Sequence, residues 1–219
     1  MSDPFIRPQW QAPARVGALV STRSGGVSRG AYASLNLGVS GGDEPADVQR
    51  NRAILAEALG ARPVYLKQVH GSTVVRLDAH AADLPPAADA SYTTEPGVAC
   101  TVLVADCMPV LVAAPEGRAV AAAHAGWRGL SLGVTEAAAR AVCEAASCAP
   151  EELDIWLGPC IGPREFEVGA DVLQAFGAEL LERDQPHFTW KPRADGAARW
   201  RADLPALARE RLRRLGVRR

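Results

Sequence analysis

The segment PVLVAAPEGRAVAAAHAG, residues 109–126, constrains the fold more than any other. Two apolar runs flank Pro115-Glu116-Gly117-Arg118, a turn signal of proline, an acidic residue and glycine. The pattern predicts an antiparallel hairpin. With the turn at 115–118, Ala114 faces Ala119, and counting outward sets His124 opposite Pro109. Cys107 then falls just beyond Pro109, at the same end of the hairpin. Strands rise ~3.4 Å per residue, so a bend at Asp106-Cys107-Met108-Pro109 can bring thiol and imidazole together.

The rest of the chain supplies neighbours for that hairpin. RVGALVST (15–22), PVYLKQVHG (63–71), VACTVLVAD (98–106) and LDIWLG (153–158) read as strands. The third, an unbroken apolar run, is expected at the sheet centre, and TVVRL (73–77) as an antiparallel return from 63–71. Asp43 or Glu44, Pro45 and Gly60 mark the ends of a helix with Val48, Leu55 and Leu59 on one face and Ile54 and Ala58 beside them. Further helices are expected near 131–146, with Leu132, Ala139, Val142 and Cys143 inward, and over 169–182 and 203–215. In the last, Leu204, Leu207, Ala208, Leu212 and Leu215 keep helical spacing. Strands interleaved with helices give an α/β (α+β) class. No repeat or long linker divides the 219 residues, so one domain over 1–219 is expected.

Charge and cysteine content exclude several functions. The net charge of −1 provides no basic field for nucleic acid or an anionic membrane. The apolar runs are too short to span a bilayer. Five cysteines, an odd number without a CxxC pair, suggest reduced thiols and a cytoplasmic protein. The start, MSDPFIRPQW, has no apolar signal-peptide core.

Two of the four histidines, His70 and His124, end apolar strands and are followed by a small residue. With Cys107 they form a donor set suited to zinc, leaving a fourth position open for water or substrate. Their spacing matches no compact zinc finger, and a Cys107–His124 nucleophile–base pair fits the hairpin nearly as well. Gly126 and Gly129 bracket Trp127-Arg128 ahead of a helix expected to begin near Leu130. Glycine permits close backbone approach, and Arg128 with the helix N-terminus suits a phosphate or carboxylate. Trp127 suits a stacking wall or simple packing.

LKQVHG (66–71), ADCMPVL (105–111), AAAHAGWRGL (121–130) and LGPCIGPREFEVG (157–169) together resemble the laccase-domain family of polyphenol-oxidase-like purine nucleoside phosphorylases. STRSGGVS (21–28), SLNLG (34–38) and ADASYTTEPG (88–97) fit the same pattern in the same order. The resemblance implies a mixed-sheet α/β sandwich with flanking helices. It assigns His70, Cys107 and His124 as metal ligands, for zinc in the usual case and copper under the oxidase naming.

The implied reaction is phosphorolysis of adenosine, inosine or methylthioadenosine to free base and ribose 1-phosphate or its methylthio analogue, with adenosine deamination as a side activity. Purine nucleoside and phosphate are the expected partners, and a monomer or homodimer the expected state. Asp106 suits proton transfer beside Cys107 or the orientation of a ligand, and Arg23, Lys67, Gln68, Gly126 and Arg128 suit substrate or phosphate binding. The family pattern continues past RLRRLGV (211–217) with a strand segment bearing a Gly-Gly-Asp-Arg-Cys-Tyr-type motif, whereas this sequence stops at Arg219. Three other functions stand beside the phosphorylase: a copper-dependent polyphenol oxidase, a cysteine hydrolase or amidase acting on cell-wall precursors, and a non-catalytic metal-binding protein. Four histidines are too few for a multi-copper cluster.

Overall fold

The computed structural model describes residues 4–80 and 85–218. In chain order the elements are β1 (Phe5–Ile6), β2 (Val20–Ser21), α1 (Pro45–Leu59), β3 (Arg62–Val64), β4 (Val74–Arg76), β5 (Ala90–Thr93), β6 (Val98–Cys100), β7 (Met108–Ala113) and β8 (Val120–Ala125). There follow α2 (Trp127–Ser131), α3 (Val134–Ala146), β9 (Asp154–Leu157), β10 (Glu167–Val168), α4 (Ala170–Ala175), β11 (Phe188–Trp190), β12 (Trp200–Ala202) and α5 (Leu204–Leu215).

The main sheet has the order β4-β5-β8-β7-β9, parallel between β4 and β5 and antiparallel elsewhere. The expected hairpin is β7–β8, with Pro109 opposite His124 and Ala113 opposite Val120. The turn takes two left-handed residues, Glu116 (φ 57°) and Gly117 (φ 64°). Alanine favours helix, yet β8 is mostly alanine. Pairing with β5 on one side and β7 on the other overrides local propensity. The small side chains let α3 come close, so Ala121 and Ala123 share a core with Val110, Val112, Val134, Ala138, Ala139 and Val142. On the opposite face, Leu111 and Ala122 border a cleft of about 850 Å³ that is closed in part by α1 and by the segments around Arg23 and Val102. The remaining strands form β3–β6, β1–β2 and β10-β12-β11.

The class is mixed α/β, as expected, and several elements differ. Of the run 98–106 only β6 is strand, paired in parallel with β3 in a separate two-stranded sheet. The central position belongs to β8. Residues 15–22 and 63–71 likewise shorten to β2 and β3, and β4 pairs with β5 rather than returning along β3. Apolar runs report burial, which irregular backbone can also provide, so they overstate strand length. Helix α1 ends at Gly60 in the left-handed conformation (φ 62°), as its sequence demands. Gly133 (φ 91°) separates α2 from α3, which leaves Leu132 outside the helix and 63% exposed rather than inward. The 169–182 helix shortens to α4, whereas α5 buries Leu204, Leu207, Ala208 and Leu212 on the predicted face.

Candidate metal centre

Three chain segments converge at one end of the β7–β8 hairpin. His124 is the penultimate residue of β8, Cys107 immediately precedes β7, and His70 lies in the turn before β4. The ligand atoms of His70, Cys107 and His124 all lie within 4.8 Å of one another, and the imidazole centroids are 4.7 Å apart at 77°. Ligands of one tetrahedral zinc ion, at bonds of ~2.0–2.3 Å, are separated by roughly 3.3–3.8 Å. The donor set and its spacing therefore fit a divalent metal after small side-chain adjustments. Among the described residues this is the single group of three or more His, Cys, Asp or Glu side chains arranged to hold an ion. His80 and His187 lie elsewhere, the latter paired with Glu210.

Gly126 makes this approach feasible. Its φ of −69° is open to any residue, but a Cβ there would stand 2.7 Å from Cys107 Sγ and 3.2 Å from His70 Cδ2. The glycine is required for space, not for backbone freedom. Gly129 serves similarly, since its Cβ would meet the Gly71 carbonyl at 2.8 Å.

Sequence reasoning missed Asp89. This carboxylate, fully buried just before β5, accepts hydrogen bonds from the backbone N–H groups of Val69 (3.1 Å), His70 (2.9 Å) and Gly71 (2.7 Å). It also pairs with His124 Nδ1 at 2.8 Å. Burial acts to raise the Asp89 pKa, but the His124 and backbone hydrogen bonds prevail and hold it below the usual carboxylate value. For His124, burial is the larger influence and lowers its pKa, with Asp89 opposing. His70 occupies the left-handed region (φ 59°), a placement costing roughly 1–2 kcal/mol for a non-glycine residue. The sequence signal for Asp89 was its place in ADASYTTEPG (88–97), a stretch that fits the family pattern but to which no role was given.

The Cys107 thiol is pushed up by burial first and then by the Asp106 and Asp89 carboxylates. Its surroundings therefore disfavour a free thiolate, the form a nucleophile needs. A cation at the trio reverses that balance.

The other expected site residues are more dispersed. Asp106 is exposed and borders the cleft, as does Arg23, whose Nε and Nη2 donate to the Ala33 carbonyl at 3.0 and 2.8 Å. Gln68 spends its amide on backbone: Nε2 donates to the Leu103 carbonyl (2.8 Å) and Oε1 accepts from Leu103 N–H (2.7 Å). Lys67 is exposed, with its backbone bridged to the 86–88 segment. Arg128 is exposed and stacks over Trp127 at 4.3 Å. The helix following Gly126 is the five-residue α2 rather than a long helix from Leu130.

A family model described as multi-copper polyphenol oxidoreductase laccase matches residues 17–219. The chain belongs to this family. Among curated relatives of this laccase-domain chain, purine nucleoside phosphorylase PA4543 of Pseudomonas aeruginosa is 48% identical over 213 residues, covering 97% of this chain and 84% of the relative. Purine nucleoside phosphorylase YfiH of Escherichia coli K12 is 45% identical over 221 residues, with the same coverage. The crystal structure of Neisseria meningitidis protein NMB0706 superposes with a TM-score of 0.84 at 44% identity, over 98% of this chain and 85% of that one. YlmD from Geobacillus stearothermophilus gives 0.82 at 31% identity, over 99% and 86%. Among the described residues no helix is long and apolar enough to cross a membrane.

Proposed function

We infer that the chain is a zinc-dependent purine nucleoside phosphorylase of the laccase-domain family. It converts adenosine, inosine or methylthioadenosine and phosphate to free base and ribose 1-phosphate or its methylthio analogue, with adenosine deamination as a side activity. The observation that carries this reading is the convergence of His70, Cys107 and His124 within 4.8 Å, in a chain up to 48% identical over nearly its whole length to proteins named purine nucleoside phosphorylases. Both substrates are small and soluble, consistent with a cytoplasmic location.

Zinc, when bound by the trio, supplies a Lewis acid at the hairpin end. The remaining work falls to side chains. In phosphorolysis the N9–C1′ bond breaks, a phosphate oxygen joins C1′, and the base leaves with a proton. We assign exchange of that proton to Asp106, and its exposure beside Cys107 at the border of the cleft supports the assignment. Arg23, tethered to Ala33 at the cleft, and Arg128, stacked on Trp127, are the forked donors assigned to phosphate. Gln68, with its amide occupied by Leu103, acts by fixing the 103–106 segment that carries Asp106.

Zinc accounts for the trio better than copper oxidase chemistry, because the described residues hold one cluster and the other two histidines lie outside it. A cysteine-hydrolase reading uses Asp89, His124 and Cys107 but leaves the convergence of His70 without a purpose. Incubation with inosine, with and without phosphate, tests the assignment. Hypoxanthine and ribose 1-phosphate are expected only with phosphate, and hypoxanthine released equally without it would overturn phosphorolysis.

A further inference from the structure

Asp89 touches two of the three ligand-bearing segments at once. Its carboxylate caps the turn at Val69, His70 and Gly71 through three backbone N–H groups, one of them that of His70 itself. The same carboxylate engages Nδ1 of His124, and the His124 backbone N–H donates to the Asp89 carbonyl at 2.7 Å. An ionised carboxylate only accepts hydrogen bonds, so the His124 nitrogen facing it carries the proton. The other ring nitrogen, Nε2, is left with its lone pair for the centre. His70 is held in a left-handed conformation that its own side chain disfavours, directly above the three-donor cap.

We propose that Asp89 is the positioning residue of the metal centre, fixing the His124 tautomer and the His70 turn together so that both imidazoles present ligand nitrogens to one ion. This rests on the zinc reading above and adds the reason why two distant histidines meet with the correct nitrogens. Burial excludes water from the carboxylate, so no solvent can replace it as the acceptor for these four donors. Outer-sphere carboxylates that orient metal-bound histidines typically change metal affinity 10–100-fold when removed.

The test compares the parent protein with Asp89→Asn. Zinc affinity is measured by titrating zinc-free protein against a chromophoric chelator, and the His124 tautomer is read from 15N ring shifts in zinc-free and zinc-loaded samples. The expected parent result is Nδ1–H in both states. The expected variant result is a mixed tautomer and a roughly 10–100-fold loss of zinc affinity while the circular dichroism spectrum is retained. A variant with a lower melting temperature but parental zinc affinity would mean that Asp89 merely caps a turn, and would overturn the assignment. Should Asp89→Asn not fold, the parent spectra decide alone, since protonation of His124 at Nε2 contradicts the proposal. A parent that shows Nδ1–H but takes up no zinc overturns the metal reading and, with it, the purpose assigned to Asp89.

Discussion

His124 stands directly opposite Pro109 on the β8–β7 ladder, with Met108 opposite Ala125. This register delivers Cys107 to the same end of the hairpin as His124, and the Asp89-capped turn brings His70 over both. The site is therefore built on a buried ladder rather than on loops alone.

Replacing Cys107 with alanine removes one of the three proposed ligands. Zinc content measured by elemental analysis is expected to fall to background, together with phosphorolysis of inosine. Loss of activity with zinc content unchanged would instead identify Cys107 as a nucleophile.

Gly126→Ala tests the crowding at the trio. The backbone accepts alanine, so the melting temperature should stay near that of the parent. The new methyl would stand 2.7 Å from Cys107 Sγ, so Sγ must move by several tenths of an ångström. Zinc affinity and kcat/KM are expected to fall by tenfold or more, as misplacement of a ligand by a fraction of an ångström commonly produces. Parental affinity would show that the centre tolerates the methyl.

Asn51 organises the segment that carries Arg23. Fully buried on α1, it accepts from Val27 N–H at 2.9 Å and donates to Ser28 Oγ and to the Ser34 and Asn36 carbonyls at 2.8–3.1 Å. Asn51→Ala leaves those groups without their partner, at a cost on the order of 3 kcal/mol. Urea unfolding should show the loss, and KM for phosphate should rise if this segment holds Arg23 in place.

Above neutrality, Cys100 makes stability pH-dependent. Burial in the cleft wall pushes its thiol up to about 11 from an ordinary 9.0. The unfolded chain thus gives up this proton first, and folding stability contributed by the neutral thiol falls as pH rises from 9.0 towards about 11. Urea midpoints across that range should decline more steeply for the parent than for Cys100→Ala.

The hairpin register, and with it the approach of Cys107 to His124, was legible in the sequence, whereas His70 was assigned to them only through the resemblance of LKQVHG, ADCMPVL and AAAHAGWRGL to the laccase-domain family. A glycine-bearing turn between two doubly apolar runs permits few pairings, and once the turn at 115–118 is placed His124 has one partner. The central position of β8 was hidden, because alanine carries no strand preference of its own and its conformation comes from neighbours on both sides. The run 98–106 misled in the opposite direction, since Val102, Leu103 and Val104 are half-buried along the cleft in irregular backbone. Asp89 was missed because three of its four partners are backbone N–H groups, which every sequence offers everywhere, and the fourth, His124, lies 35 residues away. Leu132 misled through one residue, Gly133, whose left-handed conformation ends the helix sooner than periodicity suggests.

The hydrogen bonds around Asp89 and the pairing of β5, β8 and β7 are all made by the polypeptide itself. These contacts fix the three segments that carry His70, Cys107 and His124. A metal held by the trio would then be exchanged at a socket the backbone has already shaped, and the circular dichroism spectrum is expected to stay unchanged when a chelator removes it.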